Sequence, residues 1–378
     1  MKKKIVSLLL VCAMICTMAV GCGKDNKTEE AKSGKDDKIT IWAIWGGADT
    51  MAEPFKKAVK EVEKKYPDTE IEVSLTDNES YKTKIKSAVA ANEAPDIYFT
   101  YGAGFNKPFV EADKNLDITD LISKETKDKL FPGALTNYTF DDKVYGLPTS
   151  QQVSRLFVNK ELFEQNGVAV PKTYDELLTA VKTFVDKGIT PISIGAKDTW
   201  GVGKLFDIMG VRQMGAEDTK KVLSGQEKFN NKKMLEAAKK FDEMVKAGAF
   251  TENPAAITND EALANFTQGK SAMFYNGSFS CATIDGESSK VAGKVEAVPF
   301  PTFEDGAGTD TEFVGGAGDG FVINSDVKNK DLAVGVLSAL TEYCSKYGYE
   351  AGATMPIFKV DADESKIDPL FKSIKEWC

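Results

Sequence analysis

From Lys38 onward, apolar residues recur along the chain in two distinct periods. Ile39, Ile41 and Ala43 alternate with Thr40, Trp42 and Ile44, and Gly46 and Gly47 close the run, which predicts a strand. Met51, Phe55, Val59, Val62 and Tyr66 then fall at helical spacing with lysines and glutamates opposite, until Pro67 stops the helix. Ile71, Val73 and Leu75 alternate again, and Tyr81, Ile85, Ala88 and Asn92 line a second helix before the short strand "PDIYFTY". Strand, helix, strand, helix and strand at this spacing predict a parallel sheet covered by helices.

A second unit of the same kind follows. "FVNKELFEQNG" reads as a helix ending at Gly167. Thr173 and Glu176 have the spacing of a capping box, Leu177, Val181 and Phe184 form the stripe behind it, and Gly188 fits the position just past the helix end. Ile189 to Ile194 reads as a strand. Leu235, Ala238, Phe241 and Val245 predict the buried face of another helix. "NDEALANFTQGKSAMFYNGSF" gives a short helix, a turn at Gly269 and a strand from Ala272 to Tyr275, and "LAVGVLSALTEYCS" gives a further helix. The chain therefore reads as two α/β lobes, with crossings expected around Pro148 to Gln152 and Pro299 to Phe303. No fixed-period repeat is visible.

The first residues follow a different rule. Lys2, Lys3 and Lys4 precede an apolar run from Ile5 to Val20, too short for a membrane span, and small residues sit just before Cys22. This is the pattern of a secretory signal. Ala19-Val20-Gly21-Cys22 also resembles the lipobox of bacterial lipoproteins, where the cysteine is lipidated and begins the mature chain; a plain signal peptide is the alternative. Residues 23 to 38 hold no aromatic or branched aliphatic side chain before Lys38 and read as a flexible tether. Lipid and leash together mean anchored to a membrane, not spanning it.

Composition narrows the chemistry. The chain has 378 residues, 48 Lys and Arg, and 57 Asp and Glu, a net charge of −9; without the three signal lysines it is −12. So acidic a surface argues against nucleic acid, whose phosphates need clustered cations. There is no histidine at all. That excludes Ser-His-Asp and Cys-His catalysis, imidazole acid–base chemistry and histidine-containing zinc sites. Glycoside hydrolysis by two carboxylates survives the exclusion, although no motif singles out a pair. Cys281, Cys344 and Cys378 stand at no metal spacing; the first two read as buried thiols, with one disulfide as the alternative. "GGAGDG", residues 315 to 320, fits neither a dinucleotide fingerprint nor a phosphate loop, and predicts close approach of backbone to a ligand.

In this order, "ANEAPDIYFTYGAG", "VYGLPTSQQVSRLFVNKELFEQNGV", "PKTYDELL", "FTQGKSAMFYNGSF" and "VPFPT…GGAGDGFVINSD" resemble the extracellular solute-binding proteins of ABC transporters, in the carbohydrate-binding branch that includes maltose-binding protein. The resemblance runs from about residue 38 to about 360. It implies a periplasmic-binding-protein-like fold, each lobe a mainly parallel sheet flanked by helices, with a hinge between the lobes and ligand in the cleft. On this basis residues 1–21 are the signal, 22–37 the lipidated cysteine and tether, 38–150 and 305–360 the N-lobe, and 151–304 and 361–378 the C-lobe. The family continues with further helices where this chain stops at "SIKEWC", so the C-lobe is expected to be incomplete. The implied partners are a small carbohydrate, the permease subunits and, through the lipid, the membrane; a monomer with no cofactor and no metal is expected. Binding proteins for another solute, such as a polyamine or a metal chelate, and an exported glycosidase are the rival readings.

Sugars present flat C–H faces, which aromatic rings cover, and hydroxyls, which Asp, Asn and Gln meet. Trp45, Asp77, Asn78 and Tyr101 are candidates because they follow strands at the carboxyl edge of a sheet, where open α/β folds bind ligands. The alternatives are a core tryptophan and a solvated turn. Gln152 lies on the first expected crossing, close to where the family has a sugar-binding Glu. Asp198 and Trp200 match a region supplying a carboxylate and a ring. Phe279, in Asn276-Gly277-Ser278-Phe279, stands at the stacking tryptophan of the family's Asn-Gly-x-Trp turn, and Asp319 is a hydroxyl acceptor. Thr100, Tyr101 and Gly102 replace the Trp and the Asp-Arg pair of maltose-binding protein, which argues against maltose as the ligand.

Overall fold

The computed structural model describes residues 37–47 and 49–375. The signal, Cys22, nearly all of the tether and Cys378 lie outside the described residues. Strand β1 (Asp37–Ala43) begins at the end of the expected tether and alternates as predicted, with Ile39, Ile41 and Ala43 buried. Helix α1 (Ala52–Lys65) and strand β2 (Thr69–Leu75) follow, then α2 (Asn78–Ala91) and β3 (Ile97–Tyr101). β1 pairs in parallel with both β2 and β3. Two later strands complete this first sheet, β4 (Leu147–Pro148) and, from far along the chain, β10 (Asp319–Ile323). The order is β2-β1-β3-β10-β4, and β10 runs antiparallel to both neighbours.

The second sheet is built on β5 (Ser150–Asn159), a ten-residue strand. Sequence reading missed it, and expected a helix from Phe157; Phe157 to Asn159 instead end the strand, and the Asn159 side chain caps α3 (Lys160–Asn166) by accepting from Leu162 N at 3.4 Å. Helix α4 (Tyr174–Asp186) forms with the expected Thr173–Glu176 capping box and leads to β6 (Thr190–Ser193). After α5 (Trp200–Met214), α6 (Lys232–Lys246) and α7 (Asn259–Thr267) come β7 (Ser271–Gly277), β8 (Val295–Val298) and β9 (Gly315–Ala317). The order is β8-β5-β7-β6. Only β6 and β7 pair in parallel here; β5 runs antiparallel to β7, β8 and β9. This sheet is mainly antiparallel where a mainly parallel one was expected; β5, buried along most of both faces, shows no polar–apolar alternation from which a strand could be read.

α8 (Lys330–Glu350) packs on α1 beside the first sheet, β11 (Met355–Pro356) pairs with the start of β5, and α9 (Pro369–Lys375) packs near β8. Leu156 and Val158 of β5 point into a cluster with Leu177, Phe184, Leu205 and Met209, while Phe157 points the other way, toward Phe266, Phe274, Leu370 and Phe371. One expected stripe is displaced. On α6 the buried residues are Met234, Ala237 and Met244, and Leu235 and Val245 are 54% and 51% exposed. Two apolar stripes lie one residue apart on this helix. The inner one faces the core, where the Met234 methyl group lies beside Gly210 of α5. Cys281 and Cys344 are buried and free, not bridged.

Candidate functional site

The two sheets are joined where the chain passes from β4 into β5 and from β9 into β10. These passages lie side by side. Thr149 donates from its backbone N–H (2.8 Å) and its hydroxyl (3.0 Å) to the carbonyl of Asp319, and Gly318 N–H donates to Ser150 O at 2.8 Å. The Tyr138 hydroxyl donates to Gly318 O at 3.1 Å and Asn137 Nδ2 to Ala317 O at 2.6 Å. A Cβ at Gly320 would lie 2.2 Å from Leu147 O, so only glycine lets the strands approach this closely. The first passage between the sheets runs through Thr149. The second does not lie at Pro299 to Phe303. Phe300 and Phe303 stay in the second lobe's core, and Gly308 N–H bonds Arg212 O, so residues 299–314 remain on that lobe and the return comes at Gly318. The expected N-lobe boundary at residue 305 is corrected accordingly: Arg212 draws this segment in by donating to Phe300 O and Glu312 O, both at 2.9 Å.

Asp319 begins β10 at this junction. Burial pushes its carboxyl up to about 6, against the pull of Lys204 from the second lobe, and Asp49 and Lys82 act on it from the first. Beside it, Tyr101 ends β3 half-buried, edge-on to Phe99 and Phe105 with ring centroids 5.2 and 5.1 Å away. Its hydroxyl donates to Asn78 Oδ1. Gln152 lies half-buried on β5; a Cβ on Gly318 would come within 3.2 Å of its Nε2. Asp319, Tyr101, Asn78 and Gln152 therefore gather around the junction.

The second lobe contributes a pair of rings. Trp200 opens α5 after Thr199, whose φ of 63° turns the chain sharply. Phe279 follows β7. A Cβ on Gly277 would collide with the Phe279 ring at 2.4 Å, so the glycine makes room for it. The Trp200 and Phe279 centroids are 6.3 Å apart, tilted by 57°, and both rings are half-buried. Asp198 accepts from Asn259 N–H at 2.8 Å and ties the Trp200 turn to α7. Lys204 follows Trp200 by one helical turn. Its ammonium lies 4.8 Å from the Phe279 centroid and 5.2 Å from that of Trp200, and it donates to Asn276 Oδ1 at 3.5 Å. Sequence reading missed Lys204; the signal was its i, i+4 spacing from Trp200, which puts both on one helix face.

Two candidates are corrected. Trp45 is 4% exposed, its ring edge-on to Phe55, Phe99 and Phe321 at 5.3, 5.3 and 5.7 Å, so it is a core residue with no free face. β1 ends at Ala43, level with Leu75 at the end of β2, and Trp45 just beyond it is buried in the core instead of facing out from the sheet edge. Asp77 is exposed and caps α2, accepting from Ser80 N–H at 3.0 Å, a bond that holds its carboxyl below the usual range. Its acceptor is engaged by its own helix. Among the described residues no group of three or more Cys, Asp or Glu could hold a metal ion.

Comparison with known proteins agrees with this architecture. The family model for the bacterial extracellular solute-binding proteins matches residues 48–342. A structure from work on xylan utilization by the thermophilic bacterium Caldanaerobius polysaccharolyticus superposes with a TM-score of 0.85 and 41% identity, covering 90% of this chain and 87% of that one. A chitin oligosaccharide binding protein superposes with a TM-score of 0.81 and 25% identity over 90% of this chain and 86% of its own. The multiple sugar-binding protein of Streptococcus mutans is 25% identical over 334 residues, 87% of this chain and 76% of its own length. A two-lobed chain whose sheets exchange strands at one junction, matched by that model over most of its length, belongs to the bacterial extracellular solute-binding proteins.

Proposed function

We propose that this protein is an extracellular receptor that binds a sugar or oligosaccharide between its lobes and delivers it to the permease of an ABC importer, with no chemical reaction. The observation that carries the reading is the pair of ring faces, Trp200 and Phe279, on one lobe, with Tyr101 and the Asp319 carboxylate on the other. Such a pairing suits a ligand with apolar faces and a hydroxyl rim. The relatives named for oligosaccharides support it. Asn78, Gln152 and Asp198 complete the proposed ligand set. Closure takes place about Thr149 and Gly318, and carries the lobes on either side as units.

The same reading includes a lipid anchor at Cys22, a tether to about residue 37, and a monomer at the outer face of the membrane. No helix among the described residues is long and apolar enough to cross a membrane. Mass spectrometry of the mature N-terminus tests the anchor: a diacylglyceryl cysteine is expected, and an unmodified start elsewhere refutes it.

A polyamine is the second reading. It is favoured by the lining itself, two ring faces and the Asp319 carboxylate, which already seats one ammonium, that of Lys204. Calorimetry with xylotriose, chitotriose and spermidine separates the two. Saturable heat with a sugar, weakened at least tenfold in Trp200→Ala, is expected. Saturation by spermidine alone would overturn the sugar reading.

A further inference from the structure

Lys204 is the one cation set on the ring pair of the proposed cleft. Its ammonium stands over both faces at once, 4.8 and 5.2 Å from the ring centroids, and has Asn276 Oδ1 at 3.5 Å as a weak polar partner. A ligand that stacks on the same ring face must displace an ammonium held there at cation–π distance. The seat is built. Gly277 leaves room for both Phe279 and the lysine, whose Nζ would stand 3.4 Å from a Cβ there. Asn276 is itself held by Nδ2 donating to Asn259 Oδ1 at 3.0 Å. The stem is tethered to α5, so the ammonium can withdraw toward Asp319 or Asp207 without leaving the site.

We propose that Lys204 is a built-in competitor for the aromatic platform: it occupies the rings of Trp200 and Phe279 when the cleft is empty, and a neutral sugar must displace it to stack there. This rests on the sugar reading above and names the residue that sets how tightly the site takes a neutral ligand. A cationic ligand meets the added cost of repulsion, so Lys204 also selects against the polyamine.

Its charge state is tunable. Burial lowers its ammonium to about 8, opposed first by Asp319 and then by Asp207 of its own helix; Asp49 and Lys82 face it only through Asp319. With Asp319 at about 6, its carboxyl is mostly ionised by pH 7, so between pH 7 and 9.5 Lys204 is the group of this cluster that changes most.

Two measurements test this. Ligand-free protein is titrated over pH 6.5–9.5 while Trp200 emission is followed, as the difference between wild type and Trp200→Phe. A step near pH 8 that disappears in Lys204→Ala is expected as the ammonium leaves the ring. Xylotriose and chitotriose affinity is then measured by calorimetry. Lys204→Ala should bind roughly twofold to thirtyfold more tightly at pH 7, the range a cation–π contact can account for. Wild type should gain affinity toward pH 9.5 while the variant stays flat, a readout that needs no substitution. Equal or weaker binding by Lys204→Ala, or no emission step, overturns the competitor. An emission step with no binding of either sugar overturns the sugar reading and leaves the seated ammonium supported.

Discussion

Replacing Trp45 decides between a packing role and a ligand role for the most prominent ring of the first lobe. The side chain is 4% exposed and meets three aromatic rings edge-on at 5.3 to 5.7 Å. A buried tryptophan removes about 200 Å² from water, which at about 25 cal/mol per Å² is worth ~5 kcal/mol. Trp→Ala in a core costs ~3–5 kcal/mol when the cavity stays open. Trp45→Ala should therefore lose about that much stability in urea, followed by far-UV circular dichroism so that the lost fluorophore does not matter. Trp45→Phe should recover most of it. Ligand affinity, measured by calorimetry and referred to the folded fraction, should change less than threefold, since no face of this ring reaches the junction. A Trp45→Ala protein of near-normal stability that had lost its ligand would refute the argument and return Trp45 to the site.

Other outcomes follow from the same geometry. Phe279→Ala should weaken sugar binding about tenfold, ~1.4 kcal/mol, with little loss of stability, because the ring is half-buried at a turn; calorimetry alongside a thermal melt checks both. The Asp319 carboxyl titrates near 6 in the folded chain against 3.8 unfolded, so the native state holds this proton more tightly. The resulting penalty is absent below pH 4 and grows as pH rises through 6, to roughly 3 kcal/mol at most. Asp319→Asn should thus gain stability relative to wild type at pH 7 and none at pH 3.5 in urea unfolding, while weakening ligand binding. Gly320→Ala should disrupt the junction, since its Cβ would meet Leu147 O at 2.2 Å and the Tyr138 hydroxyl at 2.6 Å; a large fall in melting temperature together with lost binding is expected. Thr173→Ala removes the cap of α4 and should cost about 1 kcal/mol in urea without touching affinity.

Where the chain has one wet face, its periodicity was legible. β1, α1, α2 and α4 fall where alternation and capping residues put them, as does Gly188 past the end of α4 with a φ of 69°. β5 was not legible because both its faces are buried, and a strand without a polar side looks like the start of the helix that follows. α6 offered two apolar stripes one residue apart, and only its packing against α5 distinguishes them. Of the proposed site, Trp200, Phe279, Tyr101 and Asp319 were candidates from strand and helix ends together with the family resemblance. The place of Trp45 was not legible, since two residues beyond a strand do not say which way the chain turns.

Lys204 shows why a cleft of this kind cannot be read from its ligand-matching residues alone. A lysine on a helix is by default a solvated surface group, and its sequence neighbourhood says nothing else. What changes its role is the meeting of three distant segments: Trp200 at the start of its own helix, Phe279 after β7, and Asp319 at the crossing of the lobes. Each alone has an ordinary effect. Together they bury the ammonium and give it two ring faces, with its larger compensating carboxylate, Asp319, on the opposite lobe and a smaller one, Asp207, on its own helix. A charge pair divided in this way favours approach of the lobes, and the same ammonium screens the rings against any ligand that stacks weakly. If the proposed displacement holds, a ligand that moves Lys204 toward Asp319 would strengthen the attraction between the two lobes, coupling affinity to closure through one side chain.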